Sequence, residues 1–516
     1  MENAHRPARP TRRALLSGGL AGGFALATAG CTSGTSGSPA GPTSTSATPS
    51  GAPSPAWSSL RVSGGVSLRG TSGYDVSTLL YNPRFSPAPQ AVARCENADD
   101  VAACVRFAAD GGVPLRLRNG GHSYGGWSAG DGLVADLSPM AAVEVDRDAR
   151  TARVGAGARL IDVYAALGAA GVAVGAGSCP TVGVSGLTLG GGVGVLARSF
   201  GLTCDQVTAV DVVTADGRAR TVGVESTDGD DADLFWALRG GGGGIAAVTS
   251  WTFSVRPAPE VAVFFARWPL SAGADVLAAW QRWQADAPRE LWSTCKLLRN
   301  PTDGDRVQVS GTWTGSGAPD LSGLLAGLPA PASRSARRLP YTAAMAYEAG
   351  CSGLDADACT TRALDAEHRQ PFAATSSMLP KALPQDGLDA ALAAVQDISL
   401  PRGAVEAGMS FDALGGAVAD VAPDATAFPW RTALATVQHT ATWTGTGDAA
   451  AHDAVVAGTR EALRPWAGGS AYVNYADPGL PDRPQACWGP NRARLQQVAT
   501  AVDPDGLFAF PGGIRT

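Results

Sequence analysis

The sequence has little of what nucleic-acid and metal sites require. The chain of 516 residues carries a formal net charge of −6, and only 17% of its residues are charged. No run of Lys and Arg follows the N-terminus, which argues against a nucleic-acid partner because phosphate binding needs a basic face. No Cys-x-x-Cys pair occurs, and His368, His439 and His452 stand apart, so no metal site is predicted.

The common nucleotide-binding fingerprints are also missing. The segment 155–157 is followed by Leu160, and 175–177 by Pro180, where the Rossmann pattern requires a third glycine. There is no P-loop, and the glycine run at 190–194 is a weak signal by itself. With these folds excluded, we predict a flavin that is bound in a different fold. In that fold, extended loops would direct their N–H groups at the pyrophosphate.

The first 56 residues predict an export signal and a tether. Residues 11–17 (TRRALLS) lead into small and apolar residues up to Gly30, as in a twin-arginine signal. Residues 28–31 (TAGC) resemble a lipoprotein cleavage box that would acylate Cys31; ordinary cleavage and full release is the alternative. Residues 32–56 are nearly all Ser, Thr, Gly, Pro and Ala, which predicts a flexible linker. We therefore expect a protein secreted or lipid-anchored at the outer face of the cell membrane.

Local patterns predict helices and strands from about Trp57 onward. Asn97 or Asp99 can cap a helix that ends at Gly111. The next strand, 114–118, alternates so that Leu115 and Leu117 face a core. Further predicted elements are a strand at 133–137, a hairpin at 143–154 and a helix with an apolar stripe at 160, 163, 164 and 167. A strand is also predicted at 249–255, with residues 250, 252 and 254 on its solvent-exposed face.

Two glycine-rich tracts carry the chemistry. Residues 118–126 (RNGGHSYGG) place four glycines around His122, so the backbone can approach a flat ligand while an imidazole points at it. Residues 175–186 offer the thiol of Cys179 in a similar setting. We interpret the pair as two tethers on one cofactor. A hydrogen-bonded turn histidine and a buried apolar thiol are the alternatives for each residue taken alone.

From about residue 88 to 514 the sequence resembles the berberine-bridge-enzyme-like family of FAD-linked oxidases. The resemblance rests on residues 118–126, 177–207, 233–244, 472–478 and 489–508, in the family's order. It implies an α+β fold: a two-part PCMH-type FAD-binding domain at 57–259, a substrate domain with an antiparallel sheet covered by helices at 260–470, and a C-terminal segment at 471–516 that completes the FAD-binding domain.

The resemblance also implies which residues hold the cofactor. His122 would bond to the 8α-methyl of FAD and Cys179 to C6 of the ring, so that the flavin is attached at two points. Residues 244–246 replace the Asn-Phe-Gly that the family often has, so that contact is not expected. The other expected FAD contacts are Asn119, Gly120, Gly121, Ser123, Tyr124, Thr181, Val182, Gly183, Gly186, Gly190, Gly191, Gly192, Asp205, Val207 and Asn491.

Residues 260–470 supply the expected substrate pocket. Strands are predicted at 261–268, 291–298, 307–313 and 435–443, with a helix at 275–286. By resemblance, residues 376–384 and 428–431 line the pocket. Gln438 is a candidate polar pocket residue, with a solvated strand position as the alternative.

Tyr475 is the expected catalytic base, by resemblance, acting as a phenolate. A free tyrosine has a pKa of about 10, so this role requires a cation or strong donors to lower it. The alternative is a core tyrosine with a satisfied hydroxyl. The base would take the proton of a substrate hydroxyl while hydride leaves the carbon for flavin N5.

The predicted function is an exported FAD-dependent oxidase of an alcohol or a carbohydrate hemiacetal. O2 would be the electron acceptor and H2O2 the product, since the small branched Val182 favours oxygen access. Two alternatives remain open: a flavoprotein that tailors a bulky natural product, and a surface-tethered binding protein without turnover. Cys351 and Cys359 are close enough in sequence for a disulfide, which export would permit; the other pairings are not predicted.

Overall fold

The computed structural model describes residues 55–227, 229–365 and 368–515. The predicted export signal at 1–31 with Cys31, and all but the last two residues of the predicted linker, lie outside the described residues. Within those residues, no helix combines the length and apolar character that a membrane span requires.

Helices and strands mix along the chain in an α+β fold, as predicted. The strands are β1 (Val66–Leu68), β2 (Ala91–Arg94), β3 (Leu115–Arg118), β4 (Leu133–Asp136), β5 (Val143–Asp146), β6 (Thr151–Gly155), β7 (Val172–Ala173), β8 (Val207–Val213), β9 (Ala219–Gly223), β10 (Ala247–Ser254), β11 (Arg256–Pro257), β12 (Glu260–Pro269), β13 (Leu291–Arg299), β14 (Arg306–Trp313), β15 (Ser333–Pro340), β16 (Phe372–Leu379), β17 (Ala404–Ala413) and β18 (Ala435–Trp443). The helices are α1 (Tyr74–Ser77), α2 (Ala98–Gly111), α3 (Leu160–Ala169), α4 (Val184–Leu189), α5 (Ala197–Phe200), α6 (Gly229–Ala237), α7 (Gly273–Ala285), α8 (Ser322–Leu325), α9 (Tyr341–Glu348), α10 (Ala356–Leu364), α11 (Gln385–Gln396), α12 (Ala449–Ala467), α13 (Arg483–Trp488) and α14 (Arg492–Val502).

The strands form three larger sheets. One has the order β1-β2-β4-β3, with β2, β4 and β3 parallel, and the second has the antiparallel order β5-β6-β10-β8-β9. The third has seven antiparallel strands in the order β15-β12-β14-β13-β17-β18-β16. The short strands β7 and β11 pair with each other. Near the C-terminus, α14 packs on α6, and the indole of Trp488 donates to the carbonyl of Gly240.

The seven-stranded sheet has one helix-covered face and one face that is free for a site. Helices α7 and α11 pack on β13, and α12 packs on β16 and β18. Because side chains alternate along a strand, Ser293 points to the helix layer, where it accepts from the indole of Trp280 at 2.8 Å. Thr294 and Lys296 point the other way, into a cavity.

Helix α2 positions the first glycine tract. The Asn97 side chain accepts from the backbone N–H of Asp100 at 3.0 Å, and Gly112, in the left-handed region at φ 58°, closes the helix. Asn97 is therefore the cap, and the helix ends where it was predicted. The chain then enters β3, which ends at Arg118.

Leu115 and Leu117 of β3 pack against the core as predicted, whereas the predicted solvent-exposed face of β10 is wrong in part. Arg118 is buried, because its guanidinium forms a 3.0 Å ion pair with Asp136 of the neighbouring β4, while Leu117 is only half-buried. Ser250 is buried as well, since β10 is a central strand and the Ser250 hydroxyl donates to Asp211 at 2.6 Å. Alternation predicted the apolar face and missed these buried polar groups.

The chain contains a disulfide between Cys351 and Cys359. The six other described cysteines are free thiols, and all but Cys179 are buried. The disulfide closes the loop between α9 and α10.

Replacing Asn97 with Ala should lower the free energy of unfolding by about 1 kcal/mol, because one backbone N–H of α2 loses its acceptor. Asp99→Ala is the matched control, since Asp99 lies in the first turn but makes no cap bond. Urea denaturation of both variants measures the difference. An equal loss in the two variants would show that the cap bond is not what stabilises this helix end.

Candidate active site

A cavity of about 530 Å³ lies between the glycine tracts and the free face of the seven-stranded sheet. Most of the predicted site residues line it. They are Asn119, Gly120, Gly121, His122, Ser123, Tyr124, Cys179, Val182, Gly183, Gly186, Gln438 and Tyr475. The structure thus brings the histidine, the thiol and the tyrosine to one enclosure from segments that are far apart in sequence.

The two glycine tracts meet backbone to backbone. A Cβ on Gly120 would lie 2.5 Å from both the amide nitrogen of Gly183 and the carbonyl oxygen of Thr181. A Cβ on Gly183 would in turn collide with the side-chain oxygen of Asn119. Only glycine permits this approach, because any side chain would separate the two loops.

The first loop presents a row of backbone donors. Among the described residues, none of the backbone N–H groups from Gly120 to Tyr124 donates a hydrogen bond. Three buried side-chain atoms of the cavity wall are also unpaired: the donors Arg118 Nη1 and Arg483 Nε, and the acceptor Asn119 Oδ1. Buried polar groups are rarely left unpaired, so the wall is built for a polar ligand, and the unpaired N–H donors suit anionic groups on that ligand.

The imidazole of His122 is held in one orientation. Its Nε2 lies 2.8 Å from the hydroxyl of Thr181, and its ring stacks on Tyr81 with a centroid distance of 3.7 Å. Burial lowers the pKa of His122 to about 3, with Arg159 adding a smaller effect in the same direction, so the ring is neutral at ordinary pH. Since the Thr181 hydroxyl is hydrogen-bonded to Nε2, the other ring nitrogen, Nδ1, is available to a ligand.

Cys179 is open to the cavity and enclosed by the surrounding protein. Burial raises the pKa of its thiol, while Lys296 acts in the opposite direction. The sulfur is therefore a thiol at neutral pH, and a bond to a ligand requires loss of its proton during the reaction.

Tyr475 does not meet the condition for a phenolate. Burial raises the pKa of Tyr475 well above its usual range, and the negative charge of Asp412 adds to the rise. Its hydroxyl instead donates to Asp412 Oδ2 at 3.4 Å, and its ring stacks on Tyr124 with centroids 5.7 Å apart. The phenolate therefore stays a prediction without the cation or donors it requires: in this structure the phenol is neutral and has a carboxylate behind it.

Asp412 is the functional residue that sequence reasoning missed. It lies on β17, and its Oδ1 accepts from Ser410 at 2.9 Å, while the Ser410 hydroxyl contacts that of Thr294 at 2.9 Å. Burial raises the pKa of Asp412, which makes it a better proton acceptor than an exposed aspartate. The available signal was the alternation of Ser410 and Asp412 with the buried Met409 and Phe411.

Gln438 lies in the cavity and not in solvent. Its amide donates to the hydroxyl of Tyr124 at 2.9 Å. Gln438 pairs with Ser410 across the strands β17 and β18, so it continues the polar row that faces the cavity. The solvated alternative for this residue is wrong.

Several predicted contacts are not on the cavity wall. The carboxylate of Asp205 is bound by Arg431 through contacts of 2.7 and 2.8 Å, and Asn491 donates to the carbonyls of Pro423 and Thr426. These side chains are engaged inside the protein, and the expected contacts of the two residues with FAD stay predictions. The other predicted residues that do not line the cavity are Thr181, Gly190, Gly191, Gly192 and Val207, and the segments 376–384 and 428–431.

The glycines of the run at 190–194, which follows the second tract, have a packing role. A Cβ on Gly190 would collide with the side chain of Asn474, and the backbone N–H of Gly192 donates to the hydroxyl of Tyr472 at 3.0 Å. These contacts join the run to the C-terminal segment, which also carries Tyr475. They explain why small residues are needed at these positions.

Comparison with known proteins gives consistent matches. Residues 89–223 match the FAD binding domain family, and residues 471–515 match the family described as berberine and berberine like. An uncharacterized FAD-linked oxidoreductase of Bacillus subtilis (strain 168), YgaK, is 30% identical over 459 residues, which cover 88% of this chain and 97% of that protein.

Two solved structures are similar over most of this chain. Physcomitrella patens BBE-like 1 has a TM-score of 0.79 at 28% identity, with 89% of this chain and 98% of that chain covered. An Acremonium strictum glucooligosaccharide oxidase, described as revealing a novel flavinylation, has a TM-score of 0.77 at 26% identity, with 87% and 96% covered.

The fold, the donor-lined cavity and these matches together define a flavin-dependent oxidoreductase. More narrowly, the chain belongs to the berberine-bridge-enzyme-like family of FAD-linked oxidases. The cavity suits FAD: the free amides from Gly120 to Tyr124 match a pyrophosphate, and the neutral His122 and Cys179 border the same space.

Replacing Gly120 with Ala should cost about 1–3 kcal/mol of stability, because the new methyl group overpacks the contact with Gly183. The two loops must separate, so the purified protein should also contain less FAD. Thermal unfolding and flavin absorbance measure both effects. Gly458→Ala is the control, since that helical position has open space around it. Equal stability and flavin content in the two variants would contradict the close packing.

Proposed function

We propose that this protein is an oxidase that converts a hydroxyl-bearing carbon of a carbohydrate to a carbonyl, with FAD attached through His122 and Cys179. The observation that carries the proposal is the Tyr475–Asp412 pair in the same cavity as the imidazole and the thiol. FAD, when bound, supplies the hydride acceptor. Similarity to the Acremonium strictum glucooligosaccharide oxidase supports both the substrate class and the covalent attachment.

The pair handles the proton of the substrate hydroxyl. Tyr475, which is neutral, accepts that proton as it passes its own to Asp412 Oδ2, so no free phenolate is needed. Ser410 holds the other carboxylate oxygen, which fixes Oδ2 toward Tyr475. Lys296 lowers the pKa of Asp412 against the effect of burial, which favours the ionised form that can accept a proton.

The overall reaction balances with O2 as the oxidant. The carbinol carbon loses a hydride, its hydroxyl loses a proton, and the product is a carbonyl compound, a lactone where the carbon is a hemiacetal. O2 takes up the two electrons and two protons as H2O2. Val182 lines the cavity beside the second tract, and its small side chain leaves room for oxygen to approach.

We also propose that the protein is exported, and that it is either released or anchored by a lipid on Cys31. The twin-arginine pattern at residues 11–17 supports export. The disulfide between Cys351 and Cys359 agrees with an oxidising compartment.

A peroxide-coupled assay of purified holoprotein with monosaccharides and oligosaccharides tests the activity directly. At least one sugar should give H2O2 in proportion to the O2 consumed. Flavin that is reduced by no sugar or alcohol would remove the proposed function.

Replacing Tyr475 with Phe should slow anaerobic flavin reduction by about 100- to 10,000-fold, because the hydroxyl proton loses its acceptor. Asp412→Asn should also slow the reaction. In the wild type the rate should fall as pH drops through the raised pKa of Asp412, whereas Asp412→Asn should lack this limb of the profile. Stopped-flow absorbance measures both. Tyr347→Phe, outside the cavity, is the control, and a full reduction rate in Tyr475→Phe would exclude the proton role.

Single changes of His122 or Cys179 to Ala should each leave flavin attached after acid precipitation, because one bond remains. The double variant should release it. Absorbance of the washed precipitate measures attachment independently of turnover. Release of the flavin from either single variant would show that only one bond forms.

A further inference from the structure

Lysine is nearly absent from this protein. The 516 residues contain two, Lys296 and Lys381, and the remaining 38 of the 40 cationic side chains are Arg. Lys381 is exposed, whereas Lys296 is half-buried on β13 and lines the cavity. One of the two lysines is therefore next to the reacting groups.

Lys296 lies beside the proton-accepting pair. Lys296 is opposite Ser410 in the sheet and Thr294 is opposite Asp412, so the Lys296 and Asp412 backbones are diagonal neighbours about 7–8 Å apart. Along the same row, Ser410 is opposite Gln438. A ligand whose hydroxyl reaches Tyr475 can therefore contact Lys296 by extending along this row.

The ammonium group of Lys296 has no direct partner in the described part of the chain. No carboxylate lies within 4.0 Å of it, and it donates no hydrogen bond, although Asp412 and Glu348 line the same cavity. The arginines of the cavity wall differ, because each holds a protein oxygen: Arg116 the carbonyl of Ala509, Arg118 the carboxylate of Asp136, and Arg483 the carbonyls of Gly512 and Val473.

A charged group facing an enclosed cavity without a partner is costly, and a ligand of opposite charge would compensate it. Asp412 is already engaged with Ser410 and Tyr475. Burial raises the pKa of Glu348 to about 7 and Lys296 opposes this rise, so below that pH the carboxyl is mainly neutral and repels an anion little. A single ammonium group matches one carboxylate better than a phosphate group with nearly two negative charges.

We propose that Lys296 binds a carboxylate of the substrate, so that the preferred substrates are acidic sugars of the hexuronic acid class. This inference rests on the proposed function. A hexuronic acid carries its carboxylate on the same ring as the hemiacetal, so one ring can reach Tyr475 and Lys296 together. Lys296 is then a specificity-determining residue for the substrate, in addition to its electrostatic effect on Asp412.

Isothermal titration of the holoprotein under anaerobic conditions, with D-glucuronate and D-glucose as probes, tests the inference. The wild type should bind D-glucuronate at least tenfold more tightly than D-glucose. Lys296→Met should remove this preference, and Lys296→Arg should retain part of it because the charge remains. Lys381→Met, which removes the exposed lysine, should behave as the wild type.

Equal affinity of the wild type for the two sugars would overturn the inference, as would an equal loss for both in Lys296→Met. Thermal unfolding and flavin absorbance of the variants verify that they are folded and loaded. Flavin reduction in the same mixtures separates the two proposals. Lys296-dependent binding of D-glucuronate with no reduction by any sugar contradicts the oxidase function alone. Reduction by D-glucose without the preference for D-glucuronate contradicts the acidic-sugar inference alone.

Discussion

The structure depends on the contact between two backbones, at Gly120 of the first glycine tract and Gly183 of the second. Neither position has room for a side chain, so the loops touch directly and their remaining groups turn toward one cavity. The amides from Gly120 to Tyr124 stay free of protein acceptors, and His122 and Cys179 border the same space. A cofactor site with two nucleophiles follows from this packing, because each loop carries one of them.

The seven-stranded sheet supplies the reactive side of the cavity. Its alternation separates an apolar face under α7, α11 and α12 from a polar face with Thr294, Lys296, Ser410, Asp412 and Gln438. The C-terminal segment brings Tyr475 to that face, where its hydroxyl donates to the buried carboxylate of Asp412. The site is thus shared between a cofactor side made by loops and a substrate side made by strands.

Much of this could be predicted where the signal is local. The cap of α2, the strand over 435–443 and the two glycine tracts follow from residue types and spacing. The polar pairs could not be predicted, because the two partners of each pair are distant in sequence. These pairs are Arg118 with Asp136, Asp205 with Arg431, and Tyr475 with Asp412. Asp412 was missed for that reason, as was the ion pair that Arg431 forms with Asp205.

The proposed attachment of one flavin to both loops can be tested by mass spectrometry of a proteolytic digest of the denatured wild-type protein. The peptides containing His122 and Cys179 should be recovered joined through a single flavin. Recovery of both peptides separately and unmodified from flavin-loaded protein would contradict it.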